Sequence, residues 1–401
     1  MSYLELSNKV KKVEPSPTLS LRKVVLDMKS KGKKVIDFGS GDPNFFTPKH
    51  IIDSATQAMN NGFTHYTATS GIDQLRKAVQ EKLEKDNALF YEKDQIIITC
   101  GAKGAIYNIL QTICEEGDEV IIIAPYYLSY PEMIKLAGAN PVIISTSEEE
   151  KFKISPSLLD KSITDKTKAI LFNNPVNPSG AVYTKQELEG IADVIVKRGI
   201  YAISDEIYEK IIYDGRKHVA LASLNNEINK LTFTVNGFAK TYAMTGWRIG
   251  YAAGPKEVIS IMGRLQSQSI SCLSAFSQKA CVTALQGSQD CVLNMVEEYT
   301  KRRNYIVERL QKMGLFCDKP EGAFYVFPNV SNYFGKKYNN QMINDSQDFS
   351  KILLEEAMVA IVFGGAYGTD DYVRLCFACS SMNEIKEGMD RVEKFLLKLQ
   401  K

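Results

Sequence analysis

EVIIIAP (119–125) and KAILFNNP (168–175) are apolar on consecutive residues and stop on proline or asparagine. A strand with one solvated face would alternate apolar and polar residues, so runs of this kind belong to strands buried on both faces, as in a parallel sheet covered by helices. Three further runs share the pattern: QIIIT (95–99), YAISDE (201–206) and LTFTVNGFAK (231–240). Most are followed by helical spacing of apolar residues, and strand alternating with helix predicts an α/β layered domain. Ligands of such sheets gather beyond the carboxyl ends of the strands, so chemistry is expected just after each run.

Farther along, DCVLNMVEEYTKRRNYIVERL (290–310) reads as a long amphipathic helix leading from a large unit, 51–299, into a smaller α+β one, 300–401. The smaller unit holds EGAFYVF (321–327), an amphipathic stretch near DFSKILLEEAMVA (348–360) and YVRLCFA (372–378), and residues 1–50 are expected to fold onto it. KKYNNQMINDSQD (336–348) reads as an exposed mobile loop. A chain of 401 residues suits one large domain with a smaller partner.

With 44% hydrophobic and 24% charged residues, the chain has the balance of a soluble protein with a sizeable interior. A net charge of +2 without a basic block offers no footprint for nucleic acid or an anionic membrane. MSYLELSNKVKKVEPSPT (1–18) lacks an apolar core before a small-residue cleavage site, and no apolar run approaches spanning length, so a cytoplasmic location is expected. Eight cysteines without framework spacing read as buried small hydrophobes in a reducing compartment. Cys376 and Cys379 fall in what reads as one strand, where residues three apart face opposite ways, which speaks against a zinc or redox pair. No metal site is expected.

TVNGFAKTYAMTGWRIGY (234–251) places Lys240 after a buried strand, among small residues and ahead of a glycine-rich segment with Arg248. A lysine at such an edge can form an imine with a carbonyl compound, although taken alone it reads first as an ordinary surface lysine. In ISDEIYEK (203–210), Asp205 stands at the end of a buried run, where an unpaired carboxylate is costly and a buried cation is the expected partner. Helix capping is the other reading of this acidic pair and suits Glu206 better. NNPVNPSG (173–180) is a turn in which Asn177–Pro178 is a candidate cis bond. CGAKGAIYN (100–108) starts a helix with small residues, so Gly101, Ala102 and Lys103 form a candidate anion cradle.

Together with THYTATSG (64–71), APYYLSYPEM (124–133), FGSGDPNFFTP (38–48) and YVRLCFA, these segments resemble class I pyridoxal-phosphate aminotransferases of fold type I in order and spacing. The resemblance runs from PSPTLSL (15–21) to the final helix, and PSPTLSL and CGAKG are most similar to the bacterial Iβ branch of aspartate aminotransferases. It implies that Lys240 carries pyridoxal 5'-phosphate as a Schiff base and moves the proton of the substrate. Arg248 and the 101–103 cradle would hold the phosphate, Asp205 would pair with the ring nitrogen, and Tyr208 and Asn177 would bond the 3' oxygen. Tyr127, where tryptophan is usual, would stack on the ring and meet the substrate. Tyr66 would reach the phosphate of a neighbouring subunit, which implies a homodimer with shared sites. Gly41, Asn177 and Arg374 would bind the α-carboxylate of an amino or 2-oxo acid, and Lys103 with hydroxyls near Ser16 and Thr18 would read the side chain of aspartate.

Four departures bear on specificity. Glu14 stands where many relatives carry a basic residue associated with prephenate; Cys272 and Leu273 replace Asn-Pro; Phe363 replaces a proline; and Val176 replaces a polar residue. An aromatic or kynurenine-type aminotransferase or a C–S β-lyase would keep the same lysine and aspartate. A cofactor-binding regulatory module is disfavoured, since no helix-turn-helix or basic arm precedes the domain.

Overall fold

A computed structural model of the protein describes residues 7–399. What the sequence suggested for residues 1–6 and 400–401 lies outside the described residues.

Seven strands form the central sheet, in the order Ile96–Thr99, Gly250–Ala253, Thr232–Gly237, Tyr201–Asp205, Thr167–Asn173, Glu119–Ala124, Asn140–Ser145. Gly250–Ala253 runs antiparallel to both neighbours, and the other pairings are parallel. The consecutive apolar residues of the runs serve two layers at once. Val120 and Ile122 join one buried cluster while Ile121 joins another, and Ile97 is separated in the same way from Ile96 and Ile98. Helices Gly101–Ile113 and Lys256–Ser269 contribute to the first cluster, and helix Lys185–Arg198 covers the opposite face through Leu188, Ile191 and Ile195. That last helix is bounded by its own residues: Thr184 and Glu187 form a reciprocal cap at its start, and Gly199 at φ 65° stops it.

Strand direction decides where side chains collect. The strands ending at Thr99, Ala124, Asn173, Asp205 and Gly237, and the antiparallel strand beginning at Gly250, all open onto one edge. Asn173 pairs in register with Asp205, and Gly237 with Gly250, while Asp205 lies opposite Val235, so the strand that leads to Lys240 runs two residues past the aspartate. Three X-Pro bonds near this edge are cis: Ala124–Pro125, Asn174–Pro175 and Asn177–Pro178.

Helix Asp290–Lys312 starts where the sequence placed it and extends two residues beyond the expected end. Its Tyr299, Ile306 and Leu310 pack with Phe38, Phe349, Phe377 and Val392 in a separate core. Arg303, fully buried in that helix, forms two hydrogen bonds of 2.9 and 2.8 Å to the carboxylate of Asp214. The N-terminal strand Ile36–Asp37 runs parallel to Val359–Ala360, and Val362–Phe363, Val373–Cys376 and Tyr325–Val326 form an antiparallel trio.

Two expectations are corrected here. Residues 336–348 are not a loop: Lys337–Tyr338 and Gln341–Met342 pair as a hairpin around Asn339 at φ 50°, Tyr338 and Ile343 are buried, and helix Ser346–Ala357 follows. The many polar residues hid this, because two inward apolar side chains suffice for so short a ribbon. Cys376 ends its strand and Cys379 lies beyond it, where its thiol donates to Asp37 O at 2.9 Å. Among the described residues no helix is long and apolar enough to cross a membrane.

A methyl group on Gly250 would fall 2.5 Å from both Ala102 N and Gly101 C, and backbone cannot yield as a side chain does. Gly250→Ala is therefore expected to cost about 1–3 kcal/mol through overpacking. A denaturation midpoint equal to that of the parent protein would contradict this placement of the helix start.

Candidate active site

Lys240 lies three residues past strand Thr232–Gly237, where its ammonium donates to Gly41 O at 2.6 Å and sits 5.6 Å from the ring of Phe324. Burial pulls its proton affinity below the usual lysine value. Its hydrogen-bond partner is thus a backbone carbonyl rather than a carboxylate. A lysine so placed reaches its reactive neutral form more readily than one in water.

Asp205, buried at the end of the neighbouring strand, accepts a hydrogen bond of 2.7 Å from the hydroxyl of Tyr130 and one of 3.3 Å from Ile207 N. The buried cation expected from the sequence is not a group of this chain: a phenol and a backbone amide take that place. Burial pushes the carboxyl up from 3.8 to about 6, against the lowering effect of the Tyr130 and Ile207 bonds. Glu206 caps no helix. It accepts 2.8 Å bonds from Ser204 Oγ and pairs at 2.8 Å with His218 Nε2. Nearby Glu209 is bonded by Asn87 at 2.8 Å and ion-paired with Lys82, so these acids form a closed polar cluster behind the sheet edge.

Tyr208 is buried with its hydroxyl 2.8 Å from that of Tyr325. Arg374, 2% exposed, projects from strand Val373–Cys376 and stacks over Tyr325 at 4.3 Å and Tyr367 at 5.0 Å. Its Nη1 donates to Asn177 Oδ1 at 3.2 Å and its Nη2 to Gly39 O at 2.8 Å, while its buried Nε has no partner. The surface ion pair open to an isolated arginine is thus replaced by a buried guanidinium free of carboxylate. Asn177 is held in turn by Asn173, whose Oδ1 accepts from Asn177 N at 2.7 Å and whose amide donates to Asp205 O at 2.9 Å. One strand-end asparagine therefore ties the Asp205 strand to the turn that carries Arg374's partner.

Gly101 opens helix Gly101–Ile113 at φ 70° with no side-chain cap, and a methyl group on it would fall 2.8 Å from Arg248 Nη2. Ala102 and Lys103 follow in that first turn. Arg248 is exposed at φ 57° and donates to Thr245 O at 3.0 Å. Lys103 also lies 5.5 Å from the ring of Tyr127, which is set edge-on to Tyr130 at 5.4 Å. Gly41 is covered by Tyr325, whose hydroxyl would be 2.7 Å from a methyl group there. Of the residues singled out in the sequence, Tyr66 alone stands apart, 91% exposed.

The departures are accommodated locally. Cys272 Sγ accepts from Thr67 N at 3.4 Å, next to Tyr66, and Leu273 is buried. Val176 is buried in its turn, and Phe363 pairs with Val373 beside Arg374. Sequence reading missed Tyr130, Tyr325, Tyr367 and Gly39. Tyr130 and Tyr325 stand in quoted segments, but nothing local signals that their hydroxyls meet Asp205 and Tyr208.

The raised carboxyl of Asp205 has a measurable cost. A displacement from 3.8 to about 6 amounts to on the order of 3 kcal/mol when the group is ionised. The folded pKa is the higher one, so this stability is present below the unfolded value and lost as pH rises through about 6. Ligand-free Asp205→Asn protein is expected to resist denaturant better than the parent at about pH 8 and to converge with it near pH 4. Parallel curves across that range would contradict the assignment.

Residues 33–392 match the family model of aminotransferase classes I and II. The aspartate aminotransferase of Bacillus subtilis is 42% identical over 396 residues, covering 98% of this chain and all of that one. A probable aspartate/prephenate aminotransferase of Rickettsia conorii is 42% identical over 392 residues, covering 97% and 98%. The crystal structure of the Rhizobium meliloti aspartate aminotransferase superposes with a TM-score of 0.95 at 38% identity, covering 99% of this chain and 100% of that one. A fold-type I chain with a half-buried lysine and a buried carboxylate at the ends of its central sheet, and a guanidinium free of carboxylate on its second sheet, matched over nearly its whole length, this protein belongs to the class I and II aminotransferase family.

Proposed function

We propose that this chain transfers the amino group of L-aspartate to 2-oxoglutarate, with pyridoxal 5'-phosphate anchored on Lys240. The observation that carries this reading is a set of charges lacking counterparts around Lys240: Asp205 has no cation and Arg374 no carboxylate within ion-pair reach among the described residues. A protonated pyridine nitrogen suits the first and an α-carboxylate the second. The uncapped start of helix Gly101–Ile113, pressed against Arg248, suits a phosphate dianion.

When bound, the cofactor supplies an electron sink for the pair released at the substrate's Cα. The chain's own groups supply the rest. Asp205 would hold a proton on the ring nitrogen, and Tyr130 holds Asp205. Tyr208 and Asn177 would bond the 3' oxygen, Tyr127 would lie against the ring, and Gly101, Ala102, Lys103 and Arg248 would keep the phosphate in place. Arg374, fixed by Asn177 and Gly39 and by two aromatic rings, receives the α-carboxylate alongside Gly41 and orients Cα toward Lys240. Lys240, whose proton affinity burial has lowered, takes the Cα proton and returns it.

Specificity for a dicarboxylate rests on Lys103 and on the paired hydroxyls of Ser16 and Thr18, 3.1 Å apart. Glu14 is exposed, with its backbone amide donating to Glu132 Oε2 at 2.9 Å. Because an acid stands here in place of the basic residue associated with prephenate, prephenate is expected to be a poor substrate.

The reading includes a homodimer in which Tyr66 serves the neighbouring subunit's phosphate, which its near-complete exposure supports. It also includes the division into residues 51–299 and a unit of 1–50 with 300–401. Pairing of Ile36–Asp37 with Val359–Ala360 supports that division, and the smaller unit would close over the substrate. Eight unpaired thiols suit a reducing, cytoplasmic setting.

A panel of amino donors assayed against 2-oxoglutarate tests the proposal. Aspartate is expected to give the highest kcat/KM with ping-pong kinetics, and Lys240→Ala to abolish turnover while remaining folded. Turnover by the alanine variant would refute the lysine assignment; preference for an aromatic donor, or pyruvate and ammonia released from a β-substituted one, would refute the substrate.

A further inference from the structure

Tyr325 touches three of the groups assigned above, and its hydroxyl has been given no role so far. Its hydroxyl is 2.8 Å from that of Tyr208, its ring lies 4.3 Å beneath the guanidinium of Arg374, and its oxygen closes over Gly41 so tightly that a methyl group there would approach to 2.7 Å. Gly41 in turn accepts the bond from Lys240. Both tyrosines are almost wholly buried, at 3% and 1% exposure, and each hydroxyl has the other as its hydrogen-bonding neighbour.

The pair has one proton to share between its oxygens and one to spare. If Tyr208 donated to Tyr325, it would have nothing to offer a ligand, and the Tyr325 proton would be left in a dry pocket above Gly41. With Tyr325 as donor, the Tyr208 oxygen is polarised and its own proton is free for an acceptor in the site. Hydrogen bonds in series strengthen one another, so the second donor adds to the first.

We propose that Tyr325 is a positioning residue: it donates to Tyr208, thereby strengthening the bond that Tyr208 gives to the cofactor's 3' oxygen, and its ring fixes the plane of Arg374. This rests on the reading of Tyr208 under the proposed function. The two parts of the role sit on different atoms of one side chain, the oxygen and the ring, and separate substitutions remove them. A stronger bond to the 3' oxygen favours its anionic form, so the bound cofactor loses its proton at lower pH.

The test is a spectrophotometric pH titration of the holoprotein for the parent, Tyr325→Phe, Tyr208→Phe and the double variant, together with KM for aspartate. Tyr325→Phe is expected to raise the midpoint of the cofactor band by about half a pH unit to one, with KM changed less than about twofold. Tyr208→Phe is expected to raise it further, and the double variant to match Tyr208→Phe alone. Tyr325→Leu, which also removes the ring, is expected to raise KM by roughly tenfold or more. An unchanged midpoint in Tyr325→Phe, or an equal shift in the presence and absence of the Tyr208 hydroxyl, would overturn the relay. A parent holoprotein with no pH-dependent visible band would instead overturn the reading of the site on which the relay rests.

Discussion

Two buried charges of opposite sign, the Asp205 carboxylate and the Arg374 guanidinium, lie in one site without neutralising each other. Left to themselves, such groups would pair, since each pays to leave water and their attraction grows in a dry interior. Here they are joined instead by a chain of hydrogen bonds, with Asn173 bonded to the Asp205 backbone carbonyl and to Asn177, and Asn177 to Arg374. The carboxyl answers by holding its proton up to about pH 6, and the guanidinium by resting on two tyrosine rings. Stability is given up here so that both charges stay available to a ligand, as a preorganised site requires.

The rest of the architecture serves that separation. The parallel sheet brings Asp205, Asn173 and the lysine-bearing turn to one edge. Arg374 comes from a different sheet, joined to the first by helix Asp290–Lys312, whose Val292 packs with Ile96 and Ile98 and whose Tyr299 and Ile306 pack in the second core. Gly39 and Gly41, on the segment after that strand, contact Arg374 and Lys240 respectively. Arg374 and Lys240 are thus linked through backbone carbonyls of one short segment.

Much of this was legible in the sequence because it is local. Runs of consecutive apolar residues announced two-sided strands, and the residues just past them, Lys240, Asp205, Asn177 and Gly101, are indeed where the strand ends converge. What was not legible depends on tertiary contact. Tyr130 and Tyr325 look like ordinary core aromatics until the fold brings them to Asp205 and Tyr208. That Asp205 is held by the Tyr130 phenol, and that Glu206 pairs with His218 rather than capping a helix, follow only from contacts between distant segments. The hairpin at 337–342 was hidden by its polar exterior, since only Tyr338 and Ile343 point inward.

The account stands or falls on one amine meeting one aldehyde inside this arrangement. Reducing the purified holoprotein with borohydride and mapping the labelled peptide tests it most directly. The account predicts a single phosphopyridoxyl adduct on Lys240 and loss of the visible band. An adduct on any other lysine, or none at all, would contradict it.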